Sequence, residues 1–145
     1  MTVQDKARPF HLAFPVTDLE ETRTFYRDVL GCGIGREDPG HWIDFDLYGH
    51  QMSAHLRPTS LAGDETGVVG GDAVPIPHFG VVLTMEQWTA LADRLKANPD
   101  TRWVLEPKVR FKGETGEQAT LFVLDPSGNP LEFKGFASDD ALFQS

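Results

Sequence analysis

The pattern of apolar and polar positions near the start of the chain predicts a strand followed by a helix. Residues Phe10 to Val16, FHLAFPV, are nearly all apolar, which is typical of a strand buried on both faces. The next segment, DLEETRTFYRDVL, places its apolar residues on one helical stripe. Thr17, followed by Glu20 three positions later, predicts a capping box at the start of this helix, and Gly31 is predicted to end it.

Two further strands and a linker complete the first half of the chain. Alternating polarity predicts strands from Trp42 to Leu47 and from His50 to Leu56, with a turn between them. Residues 58–76 are rich in Gly, Pro, Asp and Thr, so we predict a loop there.

The second half shows the same order of patterns. HFGVVL, beginning at His78, predicts a strand, and Thr84 with Gln87 predicts a second capping box at the start of the helix MEQWTALADRLKAN. Three more strands are predicted in RWVLEPKVRFKG, QATLFVLD and PLEFKGF. The segment DPSGN, whose Gly128 suits a positive φ, predicts a tight turn before the last of them.

The two halves are an internal repeat of strand, helix, strand, strand, strand. His11 and His78 occupy equivalent positions 67 residues apart, and the turn residues Gly49 and Gly128 match near the other end. Two units of this kind can bury their sheet faces by packing side by side around a shared concavity. We predict one domain over residues 1–145, made of a module at 8–57, a linker at 58–76, a module at 77–136 and a tail at 137–145.

Composition and charge exclude some classes of function. The net charge is −9 and no stripe of Lys and Arg exists, which argues against a nucleic-acid partner. No apolar run approaches the roughly 18–20 residues of a membrane span, and the N-terminus lacks the pattern of a signal peptide. The single cysteine, Cys32, suits a reducing compartment, so we expect a cytoplasmic location and no membrane partner.

Three segments resemble the vicinal oxygen chelate superfamily, which includes glyoxalase I, bleomycin-resistance proteins and extradiol dioxygenases. They are FHLAFPVTDLEETRTFYRDVLG, PHFGVVLT and LDPSGNPLEFKGF, and the resemblance covers roughly residues 8–136. Within the superfamily the chain looks most similar to small extradiol-dioxygenase-like proteins. The resemblance implies an α+β fold in which two βαβββ modules form a half-open mixed-sheet barrel, and it implies a homodimer.

The same resemblance implies a metal site made by His11, His78 and Glu132, at the superfamily's ligand positions on the first strand of each module and the last strand of the second. The internal repeat agrees, because it relates His11 to His78. Glu132 lies between apolar neighbours, where an unpaired carboxylate is costly to bury. Two imidazoles and one carboxylate with open positions suit Fe(II), although Mn(II), Zn(II), Ni(II) or Co(II) could occupy such a site.

The repeat places Ser53 opposite Glu132, where glyoxalase I carries an acidic ligand. Strand parity puts Gln51, Ser53 and His55 on the face directed towards the concavity, and His50 on the other face. His55 could be a fourth ligand, an acid or base beside the metal, or a histidine bonded to a loop carbonyl. We predict His55 as the catalytic acid–base, with Gln51 and Ser53 as substrate contacts.

Three residues of the second module are further candidates for substrate binding. Arg110 and Lys112 lie in VRFKGETGEQ, where they could hold an anionic group or belong to a solvated hairpin tip. Phe122 lies ten residues before Glu132, near the place where ring-cleaving dioxygenases usually carry a tyrosine. That tyrosine and a further upstream histidine are missing from this sequence.

Three functions are compatible with this pattern, and each of them involves a small-molecule partner. The first is an Fe(II) dioxygenase acting on a vicinal diol, catechol or enol chelated by the metal. The second is a glyoxalase-type lyase or isomerase using Ni, Co or Zn, against which Ser53 counts because the second carboxylate is missing. The third is an antibiotic-binding protein that grips its ligand with aromatic residues such as Trp42 or Trp103, Trp88 being predicted core.

Overall fold

A computed structural model of the chain describes residues 7–57, 66–69, 71–114 and 116–143. The chain divides into two units, residues 1–60 and residues 61–145, called here the first and the second unit. Across the described ranges, no helix has the length and apolar character needed to cross a membrane.

The first unit is a four-stranded mixed sheet with one helical segment. Its elements are β1 (His11–Val16), α1 (Leu19–Arg23), a π-helix (Thr24–Val29), β2 (Gly33–Asp38), β3 (Trp42–Leu47) and β4 (His50–Leu56). The strand order is β1-β4-β3-β2, with β1 parallel to β4 and the other pairs antiparallel. The bounds predicted for β3 and β4 are confirmed.

The helical segment and one face of the sheet form the core of this unit. Phe14 on β1 and Phe45 on β3 are buried, and the Tyr26 ring stacks on Phe45 with centroids 5.1 Å apart. The prediction that β1 is buried on both faces is wrong, because His11 and Ala13 are exposed. Only one side of β1 is covered by apolar side chains, so the other side is open to polar chemistry.

The helical segment differs from its prediction in two ways. Asp18, not Thr17, caps the helix, since its carboxylate accepts a hydrogen bond from the Glu21 amide at 2.8 Å. The segment is α-helical for only five residues and continues as a π-helix of six. Gly31, with φ of 81°, follows it as predicted.

Strand β2 is the third strand that the repeat predicts in the first half, but its bounds were not predicted. Its sequence, GIGRED, carries two glycines and three charged residues, and most of the strand is exposed at the edge of the sheet. An edge strand pairs on one side only, so it needs no apolar alternation to form.

The second unit repeats this plan with an added hairpin. Its elements are β5 (Thr66–Val69), β6 (Asp72–Pro75), β7 (Val82–Thr84), α2 (Met85–Ala97), β8 (Arg102–Arg110), β9 (Gln118–Leu124), β10 (Pro130–Phe136) and a 3-10 turn (Asp139–Ala141). The main sheet has the order β7-β10-β9-β8, and β5 pairs with β6. The prediction of a loop at 58–76 is therefore wrong where the hairpin forms, and the role of this segment as a linker stays a prediction; residues 58–65 and 70 lie outside the described residues.

Helix α2 matches its prediction. The Thr84 hydroxyl accepts from the Gln87 amide and the Gln87 side chain accepts from the Thr84 amide, which is a complete capping box. Leu91, Ala92 and Leu95 form the buried stripe, and Trp88 Nε1 donates to the Phe133 carbonyl oxygen at 3.0 Å.

The strand predicted for HFGVVL is shorter than expected because of a close approach at Gly80. A Cβ at Gly80 would lie 1.5 Å from the Glu132 carbonyl oxygen, so only glycine allows this contact. Residues 78–81 therefore run beside β10 with a single bridge, Phe79 to Leu131, before β7 begins at Val82. The close approach brings the backbone at His78 alongside β10.

Both units thus contain the order β, helix, β, β, β, and the predicted α+β fold with two βαβββ modules is confirmed. The predicted single domain stays a prediction, as does the packing of the two modules.

Candidate functional site

The second unit brings together His78 and Glu132, two of the three predicted metal ligands. His78 Nε2 lies 3.3 Å from Glu132 Oε1, and His78 Nδ1 lies 2.7 Å from the Pro75 carbonyl oxygen. A carbonyl oxygen only accepts hydrogen bonds, so Nδ1 carries a proton in this contact. In the neutral imidazole, Nε2 then holds a lone pair directed at a carboxylate oxygen. Two such atoms repel each other unless a proton or a metal cation lies between them.

The spacing of these two atoms suits ligands of one metal ion. Two atoms each about 2.1 Å from a metal lie about 3.0–3.4 Å apart when the angle at the metal is between about 90° and 110°. The hydrogen bond from Nδ1 to a backbone carbonyl is also the usual way in which a ligating imidazole is oriented. The pair therefore fits a divalent metal, to which it could supply two ligands.

The other oxygen of Glu132 is held by the protein. Thr120 Oγ1 donates to Glu132 Oε2 at 2.6 Å, and Arg110 Nη1 donates to the same atom at 3.0 Å. The Glu132 side chain is only 5% exposed, so these charge-assisted hydrogen bonds stabilise a carboxylate that burial would otherwise disfavour. They leave Oε1 facing His78, which orients the carboxylate.

Arg110 does not lie in a solvated hairpin tip, as one of the sequence alternatives had it. It is the last residue of β8, its residue exposure is 2%, and its side chain extends towards Glu132 on β10. Its Nε also donates to Asp72 Oδ2 at 3.4 Å, and Lys108 Nζ donates to both Asp72 oxygens, at 3.3 and 3.0 Å. Lys112, by contrast, is exposed in the turn after β8.

The ion pairs with Asp72 make the stability of the fold depend on pH in the acidic range. The hydrogen bond from Lys108, followed by its charge and by Arg110, lowers the pKa of the Asp72 carboxyl from its ordinary value of 3.8. A folded-state pKa below the unfolded one means that this contribution is fully present above 3.8 and is lost as pH falls through the lower, folded-state pKa.

We expect Asp72→Asn to lower the urea midpoint at pH 7 and to lower it less at pH 3, because pH 3 lies below the ordinary pKa of 3.8, where the contribution of the lowered pKa is being lost. Urea unfolding at the two pH values measures this difference. Asp93→Asn, on the exposed side of α2, is the control and should show no such pH dependence. An equal loss at both pH values would contradict the assigned ion pairs.

Phe122 packs against the imidazole of His78. The two ring centroids are 4.7 Å apart at an interplanar angle of 78°, and Phe122 is fully buried. It is also the Cα partner of Glu132 across β9 and β10. Phe122 therefore supports both side chains of the pair, and its role as a substrate contact stays a prediction.

The open face of the first unit carries the remaining candidates. Ser53 Oγ donates to Asp44 Oδ1 at 2.6 Å, and Gln51 Nε2 donates to Asp44 Oδ2 at 3.5 Å. His55 lies on the same face, where its ring is 6.4 Å from that of Trp42. Gln51, Ser53 and His55 thus share a face as predicted, and Asp44 adds a carboxylate that the sequence reasoning missed.

Two other histidines of the first unit are accounted for differently. His11 begins β1, opposite Gln51 in the register, and is exposed. His50 Nδ1 accepts a hydrogen bond from the Phe10 amide at 2.8 Å, which fixes the chain before β1. His11 stays a predicted ligand. In the part of the chain that the structure describes, no group of three or more His, Cys, Asp or Glu side chains is arranged to hold a metal ion.

A family model matches residues 8–133 of the chain, nearly its whole length; the model is that of the Glyoxalase/Bleomycin resistance protein/Dioxygenase superfamily. The chain belongs to this superfamily. The resemblance predicted from the sequence is therefore confirmed, whereas the closer likeness to extradiol-dioxygenase-like proteins stays a prediction. No curated protein matched the chain.

Solved structures support the superfamily assignment. A glyoxalase/bleomycin resistance protein/dioxygenase from Alicyclobacillus acidocaldarius is 30% identical with a TM-score of 0.75, over 94% of this chain and 96% of that one. The fosfomycin resistance protein FosX from Listeria monocytogenes is 12% identical with a TM-score of 0.67, over 95% and 99%. Lactoylglutathione lyase from Agrobacterium tumefaciens is 15% identical with a TM-score of 0.61, over 92% and 96%. The last two show the fold alone.

The superfamily includes dioxygenases, glyoxalases and resistance proteins. Membership therefore does not determine which of these activities a protein has. One structure of a FosX variant holds Mn(II) together with a dihydroxypropylphosphonic acid. A divalent metal is thus used by a protein of this fold, although the metal of this chain is not determined by that likeness.

Several polar residues of the two units were missed in the sequence, and some had a visible signal. Thr120 and Gln118 are polar positions in a strand that is otherwise apolar, which is a sign of partners on one face. Asp44 alternates with Ile43 and Phe45, which places it on the polar face of β3. Asp72 had no such signal, because its partners lie on β8.

Proposed function

We propose that this protein is a metal-dependent enzyme acting on a small molecule whose two adjacent oxygens chelate the metal. With Fe(II), it is a dioxygenase of a vicinal diol, a catechol or an enol. The observation that carries the proposal is the contact of His78 Nε2 with Glu132 Oε1, with Nδ1 bonded to a carbonyl. This arrangement leaves a lone pair and a carboxylate oxygen where a cation is required.

His78 and Glu132 are the proposed ligands, and His11 is the third, on the grounds of the internal repeat. A divalent metal bound there would act as a Lewis acid towards the substrate oxygens, and Fe(II) would add the redox chemistry needed for O2. Thr120 and Arg110 hold Glu132 Oε2 by hydrogen bonds, which keep Oε1 oriented towards His78. Pro75 holds the imidazole through Nδ1.

His55 is the proposed acid–base residue. An imidazole can accept the proton that a substrate hydroxyl gives up and return it later. Ser53 and Gln51 lie on the same face, and Asp44 fixes the Ser53 hydroxyl in a defined orientation. These three polar side chains are proposed to align the substrate for that transfer, while Phe122 restrains the His78 ring.

A glyoxalase-type lyase or isomerase is the second candidate, and Asp44 is the observation that favours it. The objection from the sequence was that Ser53 stands where a second carboxylate is needed. Asp44 Oδ1 lies 2.6 Å from Ser53 Oγ, so a carboxylate is present beside that position after all. It could move a proton between adjacent carbons of an enediol.

Oxygen consumption separates these two functions. Protein loaded anaerobically with Fe(II) should consume O2 in the presence of at least one member of a panel of catechols, vicinal diols and enols, and His55→Ala should slow it by about 10²–10⁴-fold. No oxygen uptake across the panel would reject the dioxygenase. Turnover of an enediol precursor with Ni(II), Co(II) or Zn(II) in the absence of O2, lost in Asp44→Asn, would establish the lyase.

A further inference from the structure

Two buried polar atoms, one on Arg110 and one on its cross-strand partner Gln118, have no hydrogen-bond partner among the described residues. Arg110 Nη2 and Gln118 Oε1 are the buried side-chain atoms left unpaired among the described residues. Arg110 is 2% exposed and Gln118 is 9% exposed, so bulk water does not satisfy either of them freely. Unpaired buried polar atoms are rare in folded proteins because each one costs free energy.

The two atoms belong to neighbouring side chains. Arg110 on β8 and Gln118 on β9 are Cα partners in the antiparallel register, so their side chains leave the sheet on the same face. Side chains at such paired positions have Cβ atoms about 4.5–5.5 Å apart. The other guanidinium nitrogens are already occupied, since Nη1 binds Glu132 and Nε binds Asp72.

Their chemistry is complementary: Nη2 can only donate a hydrogen bond, and Oε1 can only accept one. A hydroxyl group of a ligand can do both, since it accepts from a guanidinium and donates to an amide oxygen. A carboxylate or phosphonate would accept from Arg110 but would repel Gln118 Oε1.

In the metal-free protein, the local charges also disfavour an anion. Lys108 and Arg110 are two cations, and Asp72 and Glu132 are two carboxylates bonded to them, so the cluster is already neutral. An added anion would compete with Glu132 and Asp72 for the same guanidinium. The prediction from the sequence that Arg110 binds an anionic group is therefore replaced by a different one.

We propose that Arg110 Nη2 and Gln118 Oε1 together bind an uncharged hydroxyl group of the substrate. The inference rests on the proposed function, since the hydroxyl belongs to the molecule whose adjacent oxygens reach the metal. Because Arg110 also holds Glu132, the same guanidinium links recognition of the hydroxyl to the orientation of a proposed ligand. The substrate class is thus a vicinal diol, catechol or enol that carries an additional alcohol.

The test uses three catechols that differ in one group, titrated into metal-free protein in EDTA and followed by NMR of the Arg and Gln side-chain N–H signals. They are 3,4-dihydroxybenzyl alcohol, 4-methylcatechol and 3,4-dihydroxybenzoate. The alcohol is expected to bind about tenfold more tightly than the methyl compound and the carboxylate, and to shift the Arg110 and Gln118 signals.

Gln118→Met removes the acceptor and keeps the side-chain volume, so it should abolish the tenfold preference and leave 4-methylcatechol unchanged. It should not unfold the protein, because the buried amide oxygen that it removes has no hydrogen-bond partner among the described residues. Glu106→Met, at an exposed position of β8, is the control and should keep the preference.

Three results would overturn the inference. They are tighter binding of the carboxylate, a preference that survives in Gln118→Met, or no shift of either signal with any compound, which would mean that water alone satisfies these atoms. The proposed function is tested separately by adding Mn(II), which should tighten all three compounds by a similar factor. No effect of Mn(II) would reject metal chelation without bearing on the hydroxyl preference.

Discussion

Arg110→Met is expected to lower the free energy of unfolding by about 3–5 kcal/mol. The loss follows from burial: the Arg110 and Glu132 side chains are 1% and 5% exposed, and the substitution leaves the carboxylate without its cation. Thr120 alone would then hold Glu132 Oε2. Denaturation by guanidinium chloride, followed by circular dichroism, measures the change.

Arg23→Met is a matched control because it removes another arginine–glutamate pair. Arg23 donates to Glu37 from both terminal nitrogens, at 2.9 and 3.3 Å, but the Glu37 side chain is 34% exposed. Water can solvate that carboxylate, so we expect a much smaller loss than in Arg110→Met. A loss in Arg110→Met no larger than that in Arg23→Met would contradict the buried pair.

The double variant Arg110→Met/Glu132→Gln separates pairing from packing. If the cost of Arg110→Met comes from the stranded carboxylate, then removing its charge as well should restore part of the stability. The double variant should then be less destabilised than the sum of the two single variants. Additive losses would mean that Arg110 stabilises the fold independently of the Glu132 charge.

His78→Ala is expected to weaken binding of Mn(II) by at least about 100-fold, measured by isothermal titration calorimetry. The substitution removes the imidazole nitrogen that faces Glu132 Oε1. His41→Ala is the control, because His41 lies in the exposed turn before β3, where its side chain is 73% exposed. Its affinity should equal that of the wild type.

The His78→Ala result also shows whether a metal ion or only a proton lies between His78 and Glu132. If His78 and Glu132 form only an imidazolium–carboxylate pair, then the wild type binds no Mn(II). The only effect of His78→Ala is then a loss of stability. Unchanged Mn(II) affinity in His78→Ala would place the binding elsewhere. Either outcome would remove the basis of the proposed function.

The features predicted correctly from the sequence are those determined by nearby residues. The capping box of Thr84 and Gln87 and the bounds of β3 and β4 follow from local pattern. Where two neighbouring residues offered the same local signal, the prediction failed: Thr17 and Asp18 both precede an acidic residue by three positions, and Asp18 forms the cap.

The role of Arg110 could not be predicted, because its partners are distant in sequence. Glu132 is 22 residues away and Asp72 is 38, and their contacts with Arg110 depend on the order of β8, β9 and β10 and on the hairpin that carries Asp72. The segment that contains Arg110 is charged and rich in glycine, and without knowledge of its ion pairs such a pattern predicts a solvated hairpin tip. His78 and Glu132 were predictable as a pair because both lie at the superfamily's ligand positions, and His78 also matches His11 in the internal repeat.

The most direct test is anomalous diffraction from a crystal soaked in Mn(II). The proposed site predicts one anomalous peak within about 2.0–2.3 Å of both His78 Nε2 and Glu132 Oε1, absent from His78→Ala crystals. No peak at this position, with His78 Nε2 bonded directly to Glu132 Oε1 in the presence of the metal, would contradict the proposed site.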